Sequence, residues 1–518
     1  MYHAVVSVFN HQKKKAMKAN LFNTVKLTKP KKNSFDLSHD VKMSAQMGNL
    51  TPILTLECVP GDSFNISCES LIRFAPMIAP VMHRMDVTMH YFFVPNRILW
   101  PNWEKFITDA NSGIVAPFMA SNAGWGDSQK RFADYMGIPP CPIGGTPTEI
   151  SALPFAAYLA IWNEYYRDQN LISAVDYKCI DGDQQAKSDD YLQMRQRAWE
   201  HDYFTSCLPF AQKGAAVDLP LGSIPQDFII ETAGSTRVIN ATGGNIDVAQ
   251  GASTPPYEPN RMFAKAKGTT LGTTTINDLR RAFKLQEWLE KNARGGTRYV
   301  ESILSHFGVK SSDKRLQRPE YITGVKSPVI VSEVLNTTGP INDSGVSQGN
   351  MSGHGISVSS GNYSNYYCEE HGYIIGVMSI MPKTAYQQGI PRTYLKNDTL
   401  DYYFPSFANI GEQEVALEEL YAYTPDRKTA FGYIPRYSEY KYMPSRVAGD
   451  FRKELDYWHL GRIFANQPAL NADFIRCKPA DTNRIFAVED DIDNLYCHIF
   501  NKIQAVRPMP KFGNPSGL

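Results

Sequence analysis

Charge of one sign is what this chain lacks most clearly. Its 53 Lys and Arg face 52 Asp and Glu, a formal net charge of +1. That excludes a globally basic nucleic-acid binder, although a locally basic one stays open. It also leaves little self-repulsion to oppose association with identical copies. Cysteine is sparse as well, eight in 518 residues with no C-x-x-C, which is not the density of a disulfide scaffold. Cys58 and Cys68 flank a hairpin turn expected at Pro60-Gly61. Pairing about that turn sets Cys58 opposite roughly residue 64 and Cys68 opposite roughly residue 54, so no bridge is expected. Free, buried thiols in a reducing cytoplasm are the expectation for all eight. Long apolar runs are missing: no stretch approaches the ~18 residues of a transmembrane helix. The start, MYHAVVSVFNHQKKK, places its lysines after a short apolar patch, the reverse of a secretory signal.

Motifs for common chemistries are also scarce. Eleven histidines are present, yet the nearest two, His83 and His90, are too far apart for a helical i, i+4 zinc pair, and no H-E-x-x-H occurs. There is no Walker A loop and no Rossmann glycine fingerprint. Glu369-Glu370-His371 could supply an acid or base, but reads better as a solvated loop beside a strand. Glu164 and Asp168 are spaced to share a helix face; with Arg167 adjacent, an ion-pair or interface role is favoured over catalysis. The N-x-S/T sites at Asn65 and Asn240 carry no weight without secretion. No catalytic residue, cofactor site or metal site is therefore assigned.

What is present is strand pattern, aromatic content and one basic arm. With 28 Tyr and 26 Phe, aromatic residues reach 12%, favouring strand-rich packing and large interfaces. Residues 1–35 contain Lys13, Lys14, Lys15, Lys18, Lys26, Lys29, Lys31 and Lys32 before the first acidic residue, Asp36. This arm is too polar to fold alone. Contact with nucleic-acid phosphates and a solvated tail remain equally open readings of it.

Leu54, Leu56 and Cys58, then Phe64, Ile66 and Cys68, alternate with other residues as in a hairpin with one buried face. Met85, Val87, Met89, Tyr91 and Phe93 alternate with Asp86, Thr88 and His90. Near the end, Leu495, Cys497, Ile499, Ile503 and Ala505 alternate with Tyr496, His498, Phe500 and Lys502. Val329–Leu335 and Ile374–Met381 are near-continuous apolar runs, the pattern of strands buried on both faces. Helices are expected from Pro154 through Tyr166, from an Asn277 cap to Gly295-Gly296, and over Tyr299–Phe307 before Gly308. The 215–275 and 336–365 stretches read as an exposed insertion and a long surface loop. Early and late strands must pair to bury their apolar faces. The expected architecture is an antiparallel sandwich with large inserted connections.

Several long segments resemble the major capsid protein of the Microviridae, small single-stranded DNA phages, in its gokushovirus branch. They include SFDLSHD (34–40), TPILTLECVPGDSFNIS (51–67), APMIAPVMHRMDVTMHYFFVPNRILWPNWEKFIT (75–108) and WNEYYRDQNL (162–171). RAWEHDYFTSCLPFAQKG (197–214), ARGGTRYVESILSHFGVKSSDKRLQRPEYITG (293–324) and HGYIIGVMSIMPKTAYQQGI (371–390) continue the series. The resemblance implies a mainly β, eight-stranded antiparallel jelly roll over residues 36–518. It implies sixty copies in a T=1 icosahedral shell built from pentamers around circular single-stranded DNA, assembled in the host cytoplasm. One insertion, here 215–275, would project outward and act in host attachment. Partners implied are the chain itself, packaged single-stranded DNA, a small basic DNA-binding virion protein, a minor capsid (pilot) protein and a host surface receptor, with no membrane insertion. Lys13, Lys14, Lys15 and Lys18 are the candidate nucleic-acid contacts. Trp100, Trp103, Tyr165, Tyr166 and Arg167 are the candidate subunit contacts, since large rings beside Arg are typical of interface hot spots. A β-sandwich carbohydrate-binding protein or carbohydrate-active enzyme is the alternative.

Overall fold

The structure, a computed structural model, describes residues 31–512 except 218–227, 239–262, 267–275, 336–350 and a few shorter gaps. Two antiparallel sheets face each other. The first contains β1 (Asn33–Asp36), β2 (His39–Ala45), β4 (Ser63–Phe74), β7 (Ile330–Leu335), β8 (Met351–Ser360), β9 (Ser364–Tyr367) and β11 (Leu495–Arg507). Its order is β1-β11-β4-β8-β7, with β2 also on β11 and β9 also on β4. The second contains β3 (Thr51–Cys58), β5 (Met85–Pro95), β6 (Glu320–Pro328) and β10 (Gly372–Pro382), in the order β6-β5-β10-β3. Early and late strands pair as expected: Phe35 lies opposite Ala505, and Tyr91 opposite Gly376.

Alternation decides what fills the space between the sheets. Phe64, Ile66, Cys68, Ile72 and Phe74 of β4 meet Met85, Val87, Met89, Tyr91 and Phe93 of β5 in one buried cluster. Ile499, Ile503, Ile374 and Ile380 join it. Each such side chain contributes about 1.5–3 kcal/mol by leaving water. The second sheet is covered on its other face too. Phe92, Val94, Ile375 and Val377 pack there on α1 (Leu153–Ile161), Trp100 and Phe132. This double coverage explains the near-continuous apolar run of β10, which is buried almost throughout. Pro154 sits in the first turn of α1, whose residues are nearly all buried; the helix lies inside a layer and does not float one face on it.

Four expectations are corrected. β3 and β4 do not form a hairpin. The turn exists, with Gly61 at φ +94°, but it is a corner that carries the chain from one sheet to the other. Cys58 and Cys68 thus belong to different sheets, and both are buried free thiols. β7 is not buried on both faces: it is an edge strand with Ile330, Val334 and Leu335 exposed. The second half of the expected 336–365 loop is strand, β8 and β9. Its glycines are needed for close approach, because a Cβ on Gly353 would stand 2.5 Å from the Ala79 carbonyl oxygen. Finally, α2 (Ile276–Gly295) already includes Asn277 in its first turn, and its Phe283 and Trp288 are exposed. α3 (Tyr299–Phe307) ends as expected at Gly308, φ +68°, whose amide donates to the Leu304 carbonyl.

Two long connections leave the sandwich. One, residues 96–319, holds α1, α2 and α3 and a short antiparallel trio, Phe228–Thr232, Ser235–Val238 and Phe263–Ala266, inside the expected 215–275 insertion. The other, residues 383–494, buries Tyr386, Leu417, Phe431 and Phe474 in one cluster with Phe204 of the first.

Candidate assembly surfaces and an arginine-lined cavity

The five residues expected at subunit contacts fall into two groups, both largely turned inward. Trp100 is buried, and its indole N–H donates to Asp181 Oδ1 at 2.8 Å. It is a packing residue of its own chain. Trp103 is half-buried, 6.2 Å from Trp100 and 5.5 Å from His371 between ring centroids. Tyr165 and Tyr166 stand on a π-helical turn, Trp162–Tyr166, that continues α1. The Tyr165 ring packs 4.7 Å from Phe92 and under the Arg318 guanidinium at 4.3 Å. Its hydroxyl donates to the Pro319 carbonyl at 2.7 Å, and burial pushes its pKa up to about 12. Tyr166 and His90 share a hydrogen bond of 2.7 Å. Burial first, then the nearby Arg197, push His90 down to about 4, so it is neutral. Arg167 donates to the Ile172 carbonyl at 2.6 Å and holds the following loop. Lys13, Lys14, Lys15 and Lys18 lie outside the described residues. The arm's described end is anchored: Lys32 donates to the Gly61 carbonyl, and β1 pairs with β11.

The possible acid–base groups are committed elsewhere. Glu370 receives two 3.0 Å hydrogen bonds from Arg97, and Glu369 pairs with Lys314 at 3.1 Å. Asp168 accepts the Asn170 and Leu171 amides beyond the end of the helix, where Arg167 is already extended. Glu164 and Asp168 therefore do not share a continuous helix face. Among the described residues, no group of three His, Cys, Asp or Glu could hold a metal ion. One nucleophile-elbow spacing, Gly345-Val346-Ser347-Gln348-Gly349, lies outside the described residues.

Exposed apolar surface is instead found where the sequence reading did not look. In the 383–494 connection, Tyr402, Tyr403 and Tyr440 are exposed and neighbouring, with Tyr403 and Tyr440 rings 6.4 Å apart. Tyr394, Phe404 and Met443 are exposed on the same connection, and Tyr423 is 89% exposed on a backbone at φ +65°. Tyrosine-rich, methionine-bearing surface has the composition of protein interfaces. The recurrence of Tyr through 394–442 was the available signal. The exposed β7 edge is a second such surface. A cavity of about 770 Å³ lies behind the π turn, lined by Arg167, Arg197, Arg298, His90 and Tyr321 among others. No helix among the described residues is long and apolar enough to cross a membrane.

A β-sandwich with long connections and broad exposed aromatic surface defines a subunit made to associate. The chain belongs to the capsid protein (F protein) family, which it matches over residues 23–516. It is 33% identical to capsid protein VP1 of Chlamydia phage 1, over 96% of this chain and 97% of that protein. It is 35% identical to capsid protein VP1 of Bdellovibrio phage phiMH2K, over 94% and 95%. Capsid protein VP1 of Spiroplasma virus 4 is 30% identical over 97% and 99%. These similarities bear out the resemblance to gokushovirus-type major capsid proteins of the Microviridae.

Proposed function

We propose that this chain forms a T=1 icosahedral shell of sixty copies, built from pentamers around circular single-stranded DNA, without enzymatic activity of its own. The carrying observation is the strand order of the sandwich. Taking β1 and β2 as one interrupted strand and setting β7 and β9 aside leaves eight strands. In chain order these are β1/β2, β3, β4, β5, β6, β8, β10 and β11. They divide between two sheets ordered first-eighth-third-sixth and second-seventh-fourth-fifth. That order supports an eight-stranded jelly roll, an architecture used by viral capsids. Between its fourth and fifth strands the chain inserts residues 96–319, and between its seventh and eighth 383–494. Such insertions give neighbouring barrels something to interlock.

Within this reading the 215–275 stretch is the outward protrusion and acts in host attachment, because loops on rigid scaffolds commonly carry recognition. The basic arm contacts packaged DNA, alongside a small basic virion protein and a minor capsid (pilot) protein. Assembly takes place in the host cytoplasm. Electron microscopy of purified protein tests the shell: regular closed particles are expected, and compact monomers at assembly conditions would overturn the reading. Replacing residues 222–270 with a short Gly/Ser linker should leave particles intact and abolish adsorption to host cells. Loss of particles with that change would make the segment a lattice contact instead.

A further inference from the structure

The cavity behind the π turn is lined by four arginines, Arg167, Arg197, Arg294 and Arg298, against three carboxylates, Asp168, Glu200 and Glu301. Several arginines in the fold meet a carboxylate, as Arg97 meets Glu370 and Arg392 meets Glu419. Among the described residues, neither Arg167 nor Arg197 has a carboxylate oxygen within 4.0 Å. Both are instead fixed by neutral oxygens. Arg197 donates to Ser379 Oγ at 2.7 Å and lies 5.9 Å from the Tyr166 ring centroid. Arg167 donates to the Ile172 carbonyl, and its buried Nε–H has no hydrogen-bond partner among the described residues. Arg298, which is paired with Glu301, adds a third guanidinium by donating to the Asn163 and Arg167 carbonyls at 2.8 and 3.0 Å. His90 beside them is neutral and adds no counter-charge. After burial, the neighbouring Arg298 is what most lowers the Arg167 pKa, against the opposing pull of Glu164, Asp168 and Glu301.

The same cavity carries an aromatic platform. Tyr321 stands on β6 with 47% of its surface exposed, and its ring meets His90 and Phe92 edge-on at 5.8 and 5.5 Å. The ring is therefore braced by packing while about half of the side chain's surface remains accessible. Fixed guanidinium groups recognise oxyanions, phosphate above all. An accessible ring face takes a planar base. A volume of about 770 Å³ suits a ligand of nucleotide size.

We propose that this cavity is a nucleotide-binding site, with the phosphate held by Arg167 and Arg197 and the base stacked on Tyr321. The nucleotide is either free or one unit of a single strand; only the second case rests on the packaging role proposed above.

The test uses the full chain, titrated calorimetrically with thymidine monophosphate, inorganic phosphate, succinate and an eight-nucleotide thymidine strand. Thymidine monophosphate should bind at least about tenfold more tightly than phosphate or succinate, reflecting the stacked base. Arg197→Gln should weaken it at least about tenfold, as for loss of a charge-assisted hydrogen bond. Tyr321→Ala, at an exposed position, should do the same without changing the melting temperature. Saturable binding by the strand that exceeds the mononucleotide and weakens with salt identifies nucleic acid as the source, while binding of the mononucleotide alone identifies a free nucleotide. The proposal is overturned by absence of binding at millimolar ligand, by phosphate or succinate matching the nucleotide, or by wild-type affinity in both variants. Particle formation is scored by microscopy on the same samples, so a failed cavity and a failed shell are told apart.

Discussion

Asn501 sits between the two sheets and is fully buried, a polar side chain in an apolar layer. Its Oδ1 accepts from the Tyr91 hydroxyl at 2.8 Å, and its Nδ2 donates to the Ile53 carbonyl at 2.9 Å. Three strands from both sheets are joined by this one amide. Tyr91→Phe removes the donor and leaves Oδ1 buried and unpaired. It should cost about 1–3 kcal/mol, read as a lower denaturation midpoint in urea with unchanged slope. A midpoint equal to wild type would mean that the amide is satisfied another way. Residue order alone does not show this link, since Asn501 interrupts the Ile499–Ile503 alternation on the inward face and looks like a mismatch. Gly353 is similar: its value lies in the Cβ it lacks.

At the scale of elements, an ion cluster ties β5, β6 and β10 to the loop at Glu200. Lys326 lies 2.9 Å from Asp86 and 3.1 Å from Glu200, while Lys383 lies 3.0 Å from Asp86 and also pairs with Glu200. Burial alone would raise both carboxyls, but the hydrogen bonds and charge of the two lysines outweigh it and hold them below their ordinary values. Carboxyls lowered in the folded state contribute stability above their unfolded pKa values, about 4, and lose it as pH falls through the folded values. The groups are part-exposed, so each pair contributes only about 0.2–1 kcal/mol. A Lys326→Met, Lys383→Met protein should therefore lose less stability than wild type between pH ~5 and ~2; parallel curves would show the cluster to be idle. The β7 edge makes a different prediction. Val334 and Leu335 are exposed, so Val334→Lys with Leu335→Lys should change subunit stability by no more than about 0.5 kcal/mol per site. If this edge meets another copy, particle yield should fall sharply. Normal yield would leave the edge as free surface.

For the whole molecule, the neutral net charge means that any hold on DNA must be local. The arm's described end is fixed on the sandwich by β1 and Lys32, so the lysines before it act from an anchored base. If Lys13, Lys14, Lys15 and Lys18 all meet phosphate, their replacement by Gln should shallow the log–log salt dependence of single-strand binding by roughly 3 units. An unchanged slope with impaired assembly would make the arm a tie between subunits.

How far the sequence reached follows from what periodicity encodes. The inward face of β5, the half-buried β11, the first turn of α1 at Pro154 and the stop of α3 at Gly308 were all determined by residue order alone, because each depends on neighbours within a few positions. The β-rich class was legible for the same reason. What covers a face was not. Period two tells that β5 has two faces, but not that α1 and Phe132 close over Phe92. It marks β7 as apolar without saying that it ends the sheet. It joins β3 to β4 through a turn, while their partners, β10 for one and β11 with β8 for the other, lie hundreds of residues away. Trp100 and Arg167 were read as subunit contacts for the same reason. Burial is a property of distant segments meeting, and only the tertiary structure decided which segments meet.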